Sequence, residues 1–355
     1  MPEQKSPWPI LCCSILIVLS GCSIGTELHV WQPPLAVDGV GKRVAVAPLV
    51  GSPQLATEMA QTIAVQQPKL PQPAELVSQY ELSQADGIQL VSFDDRSPSD
   101  LALLPVARRA DVDYLLVGEV LNDPFAGRSQ SLAHDDPELQ WKLGQMLESQ
   151  EEEDPILAFS WRVIDVASGE TRWANPMSVS KSFLDATYPD LSDQQRSLSQ
   201  QLQAAAGRET WKLLVPFVGA HQVELAVPWV SLGAKQTRQG NQYAMSGDWQ
   251  QAEASWREAL ADHPRQFAAL HNLALAAVAR QDYVEAKRLA TEALSKRDSR
   301  LFQKTLVWIE ARQREYHKAF DLPDPVGGWN YRSPRPLTAA LERGASLGTH
   351  APVPD

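Results

Sequence analysis

Between Gly240 and Leu294 the sequence repeats itself every thirty-four residues, and no other feature narrows the fold as much. Gly240 recurs as Ala274, Asp248 as Asp282, Trp249 as Tyr283, Ala252 as Ala286, Ala259 as Ala293 and Leu260 as Leu294. Small and aromatic residues at fixed offsets over such a period mark stacked two-helix units, none of which buries its apolar face alone. Gly240, Ala252 and Ala259 fall where two antiparallel helices must approach closely, and Trp249 and Trp256 fill the gaps between neighbouring pairs. These are core positions. Phe302, Leu306, Trp308, Ile309, Tyr316 and Ala319 read as a degenerate third pair that closes the stack.

The run Gly240-x-x-Tyr243, Gly247-Asp248-Trp249, Ala252-x-x-x-Trp256-x-x-Ala259-Leu260 and Pro264 resembles the tetratricopeptide pattern. The resemblance implies repeats at 233–266 and 267–300, a capping segment at 301–319, and a concave face built from the first helix of each pair. On that face an extended peptide or partner helix is expected to bind, against Thr237, Asn241, Met245, His271, Asn272, Leu275 and Val278. Asn241 and Asn272 resemble the asparagines with which carboxylate-clamp arrays hold a peptide backbone. The clamp lysines are not seen, so capture of a C-terminal carboxylate is not expected.

Ahead of the repeats the periodicity differs. Val44 to Leu49 is a short apolar run of buried-strand type, and Gln54 to Val65 is helical. A strand at Ile88 to Ser92, a helix near Ser99 to Ala110 and a strand at Tyr114 to Val120 follow. Leu157, Phe159, Trp161 and Val163 alternate with smaller or polar residues, Ala167 to Glu170 turns the chain, and Thr171 to Phe183 returns as the partner strand. Ser192 with Gln195 predicts a capping box for a helix carrying Leu198, Leu202, Ala205 and Trp211. Strands alternating with helices argue an α/β layer over 43–220. Arg43-Val-Ala-Val-Ala-Pro-Leu49, Ala110 to Glu119 and Val163 to Trp173 resemble the periplasmic lipoprotein domain shared by the TolB amino-terminal region, the curli secretion-channel lipoprotein and the outer-membrane activators of peptidoglycan synthases. That family shares a fold more than a task. Within it, an insert at 123–155 sets nine acids against Arg128 and Lys142. Such a run reads as a solvated loop, with a docking surface for a basic partner as the sharper reading.

The amino terminus predicts location. Ile10 to Leu19 is a ten-residue apolar run, too short to span a bilayer, and it ends in Leu19-Ser-Gly-Cys22. This resembles the lipobox of bacterial lipoproteins, which implies removal of 1–21, acylation (palmitate) of Cys22 and stable membrane anchoring. Ser23 after the cysteine favours the outer membrane, facing the periplasm, by the same resemblance. Residues 22–42, with Pro33, Pro34, Gly39 and Gly41, read as a lipidated tether, and 321–355, rich in Pro and Gly, as a disordered tail.

Signs of chemistry are few. Cys12, Cys13 and Cys22 are the three cysteines of the 355-residue chain, so no disulfide framework and no cysteine-ligated metal is expected beyond residue 22. The seven histidines form no short metal-ligand spacing, and there is no Gly-x-Ser-x-Gly elbow or phosphate loop. A net charge of -11 opposes nucleic acid as a partner. Within 235–318, however, fourteen Lys or Arg face ten Asp or Glu, so the repeat half is basic while the insert is acidic. The expected fold is α+β: an N-terminal α/β sandwich with a mixed sheet, followed by an all-α repeat region. The expected function is that of a membrane-anchored envelope lipoprotein, a protein–protein adaptor without catalysis, cofactor, metal or small-molecule substrate. The alternative is a subunit of an oligomeric outer-membrane secretion or assembly complex.

Overall fold

The computed structural model describes residues 23–47, 49–51, 53–78, 81–82, 100–125, 141, 154–192, 195–228 and 231–331. Cys22 and its leader, the expected strand at Ile88 to Ser92 and most of the acidic insert lie outside the described residues. The fold is α+β, and the chain divides into two compact units: Pro33–Phe217, and Met1–Gln32 together with Val218–Asp355.

Among its described residues the Pro33–Phe217 unit is built on a five-stranded sheet of order β3-β2-β4-β5-β6. Its strands are β2 (Arg43–Val46), β3 (Glu75–Val77), β4 (Tyr114–Asn122), β5 (Ile156–Asp165) and β6 (Thr171–Ser180). β2 pairs in parallel with β3 and β4, while β4, β5 and β6 form an antiparallel meander. The two-residue pleat divides the side chains between two cores. Val44, Val46, Leu116, Phe159 and Trp161 pack with helices α1 (Pro53–Val65) and α5 (Leu198–Trp211), while Ala45, Ala47, Leu115 and Val117 pack with α2 (Asp100–Arg109). The indole Nε1 of Trp211 donates to the carbonyl of Ile63 at 2.7 Å, locking α5 to the end of α1. Gly118 stands opposite Trp161 in the β4–β5 register, and a Cβ there would sit 2.1 Å from the indole, so only glycine fits.

Two short helices, α3 (Lys181–Thr187) and α4 (Pro189–Ser192), link β6 to α5. Phe183, expected in the returning strand, lies in α3, because the Ser180 hydroxyl accepts from its N–H and starts a helix there. The capping box of α5 is made by Ser197 and Gln200 instead of Ser192 and Gln195. The same Ser-x-x-Gln spacing recurs five residues on, where the apolar stripe begins.

Among its described residues the second unit contains five helices: α6 (Ala234–Met245), α7 (Trp249–Asp262), α8 (Phe267–Ala279), α9 (Tyr283–Lys296) and α10 (Arg300–Ala319). α6 with α7 and α8 with α9 are hairpins offset by thirty-four residues, and the offset is exact in their geometry. Asp248 and Asp282, both at φ -85° and ψ 72°, cap α7 and α9 by accepting from the N–H three residues on. Gly240 lies so close to Trp256 that a Cβ would meet the indole at 2.4 Å.

The same unit holds a two-stranded ribbon of β1 (Ser23–Gln32) and β7 (Phe217–Ala226). Ser23 Oγ donates to Glu224, Gln222 Nε2 donates to Glu27, and Gln32 meets His221. The partners descend along β7 as they rise along β1, which makes the pair antiparallel. Thr26, Leu28 and Val30 of β1 are buried, with Val223 and Leu225 of β7, and the aliphatic members join the core of the helices. The region read as a tether at 22–42 is therefore a strand through Gln32. The alternation of Thr26, Leu28 and Val30 with Glu27 and His29 is what gives it a face to bury. The α/β unit is correspondingly an insertion between the two strands of this ribbon, bounded at Pro33 and Phe217 instead of 43 and 220. Its own ends are joined, since Leu35 and Ala36 donate to the carbonyls of Lys212 and Leu213.

The expected disordered tail also begins later than residue 321. The Glu310 carboxylate, 1% exposed, accepts from the N–H groups of Asn330 and Tyr331 and from Arg314, whose guanidinium lies over the Trp329 ring. Residues 322–331 thus fold back on α10, and 332–355 lie outside the described residues.

The insertion topology predicts that the helical unit folds without its insert. Replacing Pro33–Phe217 by Asn-Gly, a two-residue hairpin turn, is expected to leave the far-ultraviolet signal of the helices and cooperative urea unfolding intact. Loss of either would mean that the ribbon depends on the inserted unit.

Candidate functional site

The sequence placed its binding residues on the first helix of each hairpin, and Asn241, His271 and Asn272 meet there on one buried stretch of backbone. α6 brings Thr237 and Asn241 one turn apart, and α8 brings His271 and Asn272. Trp256 Nε1 donates to the Thr237 carbonyl at 3.1 Å and to Asn241 Oδ1 at 3.0 Å. Asn241 Oδ1 also accepts from Asn272 Nδ2 at 2.7 Å. The Thr237 hydroxyl turns back to Gly233 O and takes no part in binding.

What this network holds is the chain's own strand. Asn272 Oδ1 accepts from the Ala226 N–H at 2.8 Å, and its Nδ2 donates to Ala226 O at 3.1 Å. Asn241 Nδ2 donates to the same carbonyl at 3.0 Å. Two residues earlier, His271 lies 3.0 Å from the carbonyl of Glu224 through Nε2. A carbonyl only accepts, so this nitrogen carries the proton. The ring stacks on Phe302 at 4.7 Å. His271 is fully buried and its Nδ1 has no partner, so burial holds its pKa down at about 4, against the weaker upward pull of the Glu224 carbonyl. Polar groups that fix a strand by its peptide units, without reading side chains, recognise extended backbone as such.

The remaining expected residues divide. Leu275 and Val278 are buried on α8. Met245 stays 54% exposed at the end of α6, where the neighbouring Ala244 carbonyl accepts from Thr26 Oγ1. Thr237, Asn241, His271 and Asn272 are all buried, and the last three are already engaged by β7. The occupant went unread in the sequence, although Val223 and Leu225 alternate with Gln222 and Glu224 in the manner of a half-buried strand.

β1 and β7 are also bound to α10. His221 Nε2 receives hydrogen bonds from Gln32 Nε2 at 2.8 Å and Arg312 Nη1 at 3.0 Å, so this imidazole is neutral too. Partial burial and the adjacent guanidinium put its pKa at about 4. Among the described residues no group of three or more His, Cys, Asp or Glu is placed to hold a metal, and no helix is long and apolar enough to cross a membrane.

No family model matches the chain, and no curated protein matches it. Solved structures similar to it include the PelC dodecamer of Paraburkholderia phytofirmans, at 13% identity over 54% of this chain and 96% of that one, with a TM-score of 0.26. A lipoprotein of Neisseria meningitidis matches at 11% identity over 48% of this chain and 97% of its own, with a TM-score of 0.25. TolB of Acinetobacter baumannii matches at 7% identity over 57% of this chain and 39% of its own, with a TM-score of 0.23. The likeness is a coarse one to envelope proteins, lipoproteins among them, and TM-scores of this size carry no argument about function.

Two outcomes follow from the buried network. Asn272→Ala leaves the buried Ala226 N–H without a partner while Ala226 O keeps Asn241, and it is expected to cost about 1–3 kcal/mol in urea denaturation, the cost of one buried group left unpaired. His271 is neutral when folded but takes a proton near its ordinary pKa of 6.5 when unfolded, so its contribution is complete above that value and fades as pH falls toward 4. Between pH 7.5 and 4.5 the wild type is expected to lose about 2–3 kcal/mol through this ring, a loss that His271→Gln should not show.

Proposed function

We propose that the chain is a membrane-anchored envelope lipoprotein whose helical unit is a short tetratricopeptide-type array serving as a non-catalytic protein–protein adaptor. The observation that carries the reading is the grip of Asn241, His271 and Asn272 on the backbone of Glu224 and Ala226. The face on which such arrays hold extended peptides holds an extended strand here. The equal cap geometry of Asp248 and Asp282 supports the repeat assignment. The anchor is acylated Cys22, read from Leu19-Ser-Gly-Cys22, in the outer membrane facing the periplasm. The partner is an envelope protein or peptide, and the groove floor is filled by the ribbon, so the partner meets surface beyond it.

The anchor is tested by metabolic labelling with an alkyne palmitate analogue and by membrane fractionation. Wild type is expected to carry label and sediment with membranes, and Cys22→Ala to lose the label and leave the membrane fraction. Equal labelling of both would remove the anchor from the proposal. The adaptor role is tested by in-cell crosslinking with mass spectrometry at matched abundance, and a wild type that captures no envelope protein reproducibly would defeat it.

A further inference from the structure

β7 has β1 as its one strand neighbour among the described residues, so its other edge is unpaired by any strand. Alternate residues of a strand turn their N–H and C=O to the same side. Gln222 therefore shares the edge of Glu224 and Ala226, whose backbone is met by His271, Asn272 and Asn241. Those side chains stop at Glu224. Beside Gln222 and Glu224 the edge borders a recess of about 140 Å³, close to the ~150 Å³ cavity that takes up a benzene ring. Leu275, Leu301 and Trp308 form its apolar wall, and Lys304 stands at its rim.

Two charged residues border the recess, Lys304 and Glu224. Lys304 has no ion-pair partner among the described residues, and Arg300, one turn earlier on α10, is exposed beside it. Glu224 is turned toward β1, where its carboxylate accepts from Ser23 Oγ. An open strand edge, an apolar recess for one side chain and an unpaired cation together define an occupant.

Resting on the adaptor reading, we infer that the free edge of β7 at Gln222 takes up an extended acidic segment of a partner protein as a third strand. One aliphatic side chain of that segment enters the recess at Leu301 and Trp308, and a carboxylate next to it meets Lys304. The ribbon thereby shifts the binding surface from the filled asparagine face to the edge of the strand that fills it.

The test is fluorescence anisotropy with the full chain in detergent and two synthetic peptides, one alternating Glu with Val and Leu, the other alternating Lys with the same residues. Expected is binding of the acidic peptide and at least about tenfold weaker binding of the basic one, with Lys304→Glu and Gln222→Pro each weakening the acidic peptide about tenfold or more. Circular dichroism of both variants should match wild type, and Lys304→Glu, an exposed change, keeps the test valid if Gln222→Pro does not fold. No binding at millimolar peptide, equal binding of both peptides, or unchanged affinity in Lys304→Glu would each overturn the inference. So would acidic-peptide binding that emerges only after truncation beyond Tyr331, because the occupant would then be this chain's own C-terminal segment. In crosslinked cells, a partner retained by Lys304→Glu sinks this edge and leaves the adaptor reading standing, whereas a wild type without any partner sinks the adaptor reading itself.

Discussion

Ala226 is held at both polar atoms of its backbone by two asparagines thirty-one positions apart, and the helical unit is organised around that grip. In a buried site each of these bonds has to be made, since an orphaned amide or carbonyl costs more than a satisfied pair contributes. Trp256 enters the same network through Asn241, which ties the second helix of the first hairpin to the strand that crosses the first helices of both. Register follows from this. A slip of one residue along β7 would carry Val223 and Leu225 to the solvent side and leave the asparagines facing the wrong peptide units.

The ribbon also explains why so short an array is closed. Two hairpins and one long helix leave apolar residues of α8 still to be covered, and stacked units of this number are near the minimum for a continuous core. Leu28, Val30, Val223 and Leu225 supply the missing layer and merge with Leu270, Leu273 and Leu275 in one cluster. At the far end the folded-back segment around Trp329 and Tyr331 covers α10, where a further helix would otherwise pack.

Much of this was legible in the residues and some was not, for physical reasons that differ by site. The repeat announced itself because Asp248 and Asp282, and Gly240 and Ala274, answer local needs that recur with each hairpin: a cap and a close approach. The meander of β4, β5 and β6 was readable from the alternation around Trp161. Asn241 and Asn272 were readable as backbone-binding residues, yet they are not equivalent positions of the repeat, so periodicity alone does not pair them. What they bind was hidden because β1 and β7 are joined only in space. Each is a short alternating run, and the prolines at 33 and 34 drew Ser23–Gln32 into the reading of a loose segment. Met245 differs: it lies in the last turn of α6, where Thr26 of the ribbon meets the neighbouring Ala244 carbonyl and leaves the Met245 side chain exposed.

The placement of the α/β unit inside the ribbon sets the order in which the molecule is completed. β1 is made early, yet the strand that pairs with it waits for all of Pro33–Phe217, and the helices that bury its apolar side come later still. Through that interval Leu28 and Val30 face no partner, and the unpaired edges of β1 are open to any strand nearby. The inserted unit has short-range ends of its own, through Leu35, Ala36 and the residues at 212 and 213, and completes its core from the portion already synthesised. A chain of this topology thus matures from the middle outward, with β1 among the last strands to be locked, an order set by chain connectivity alone.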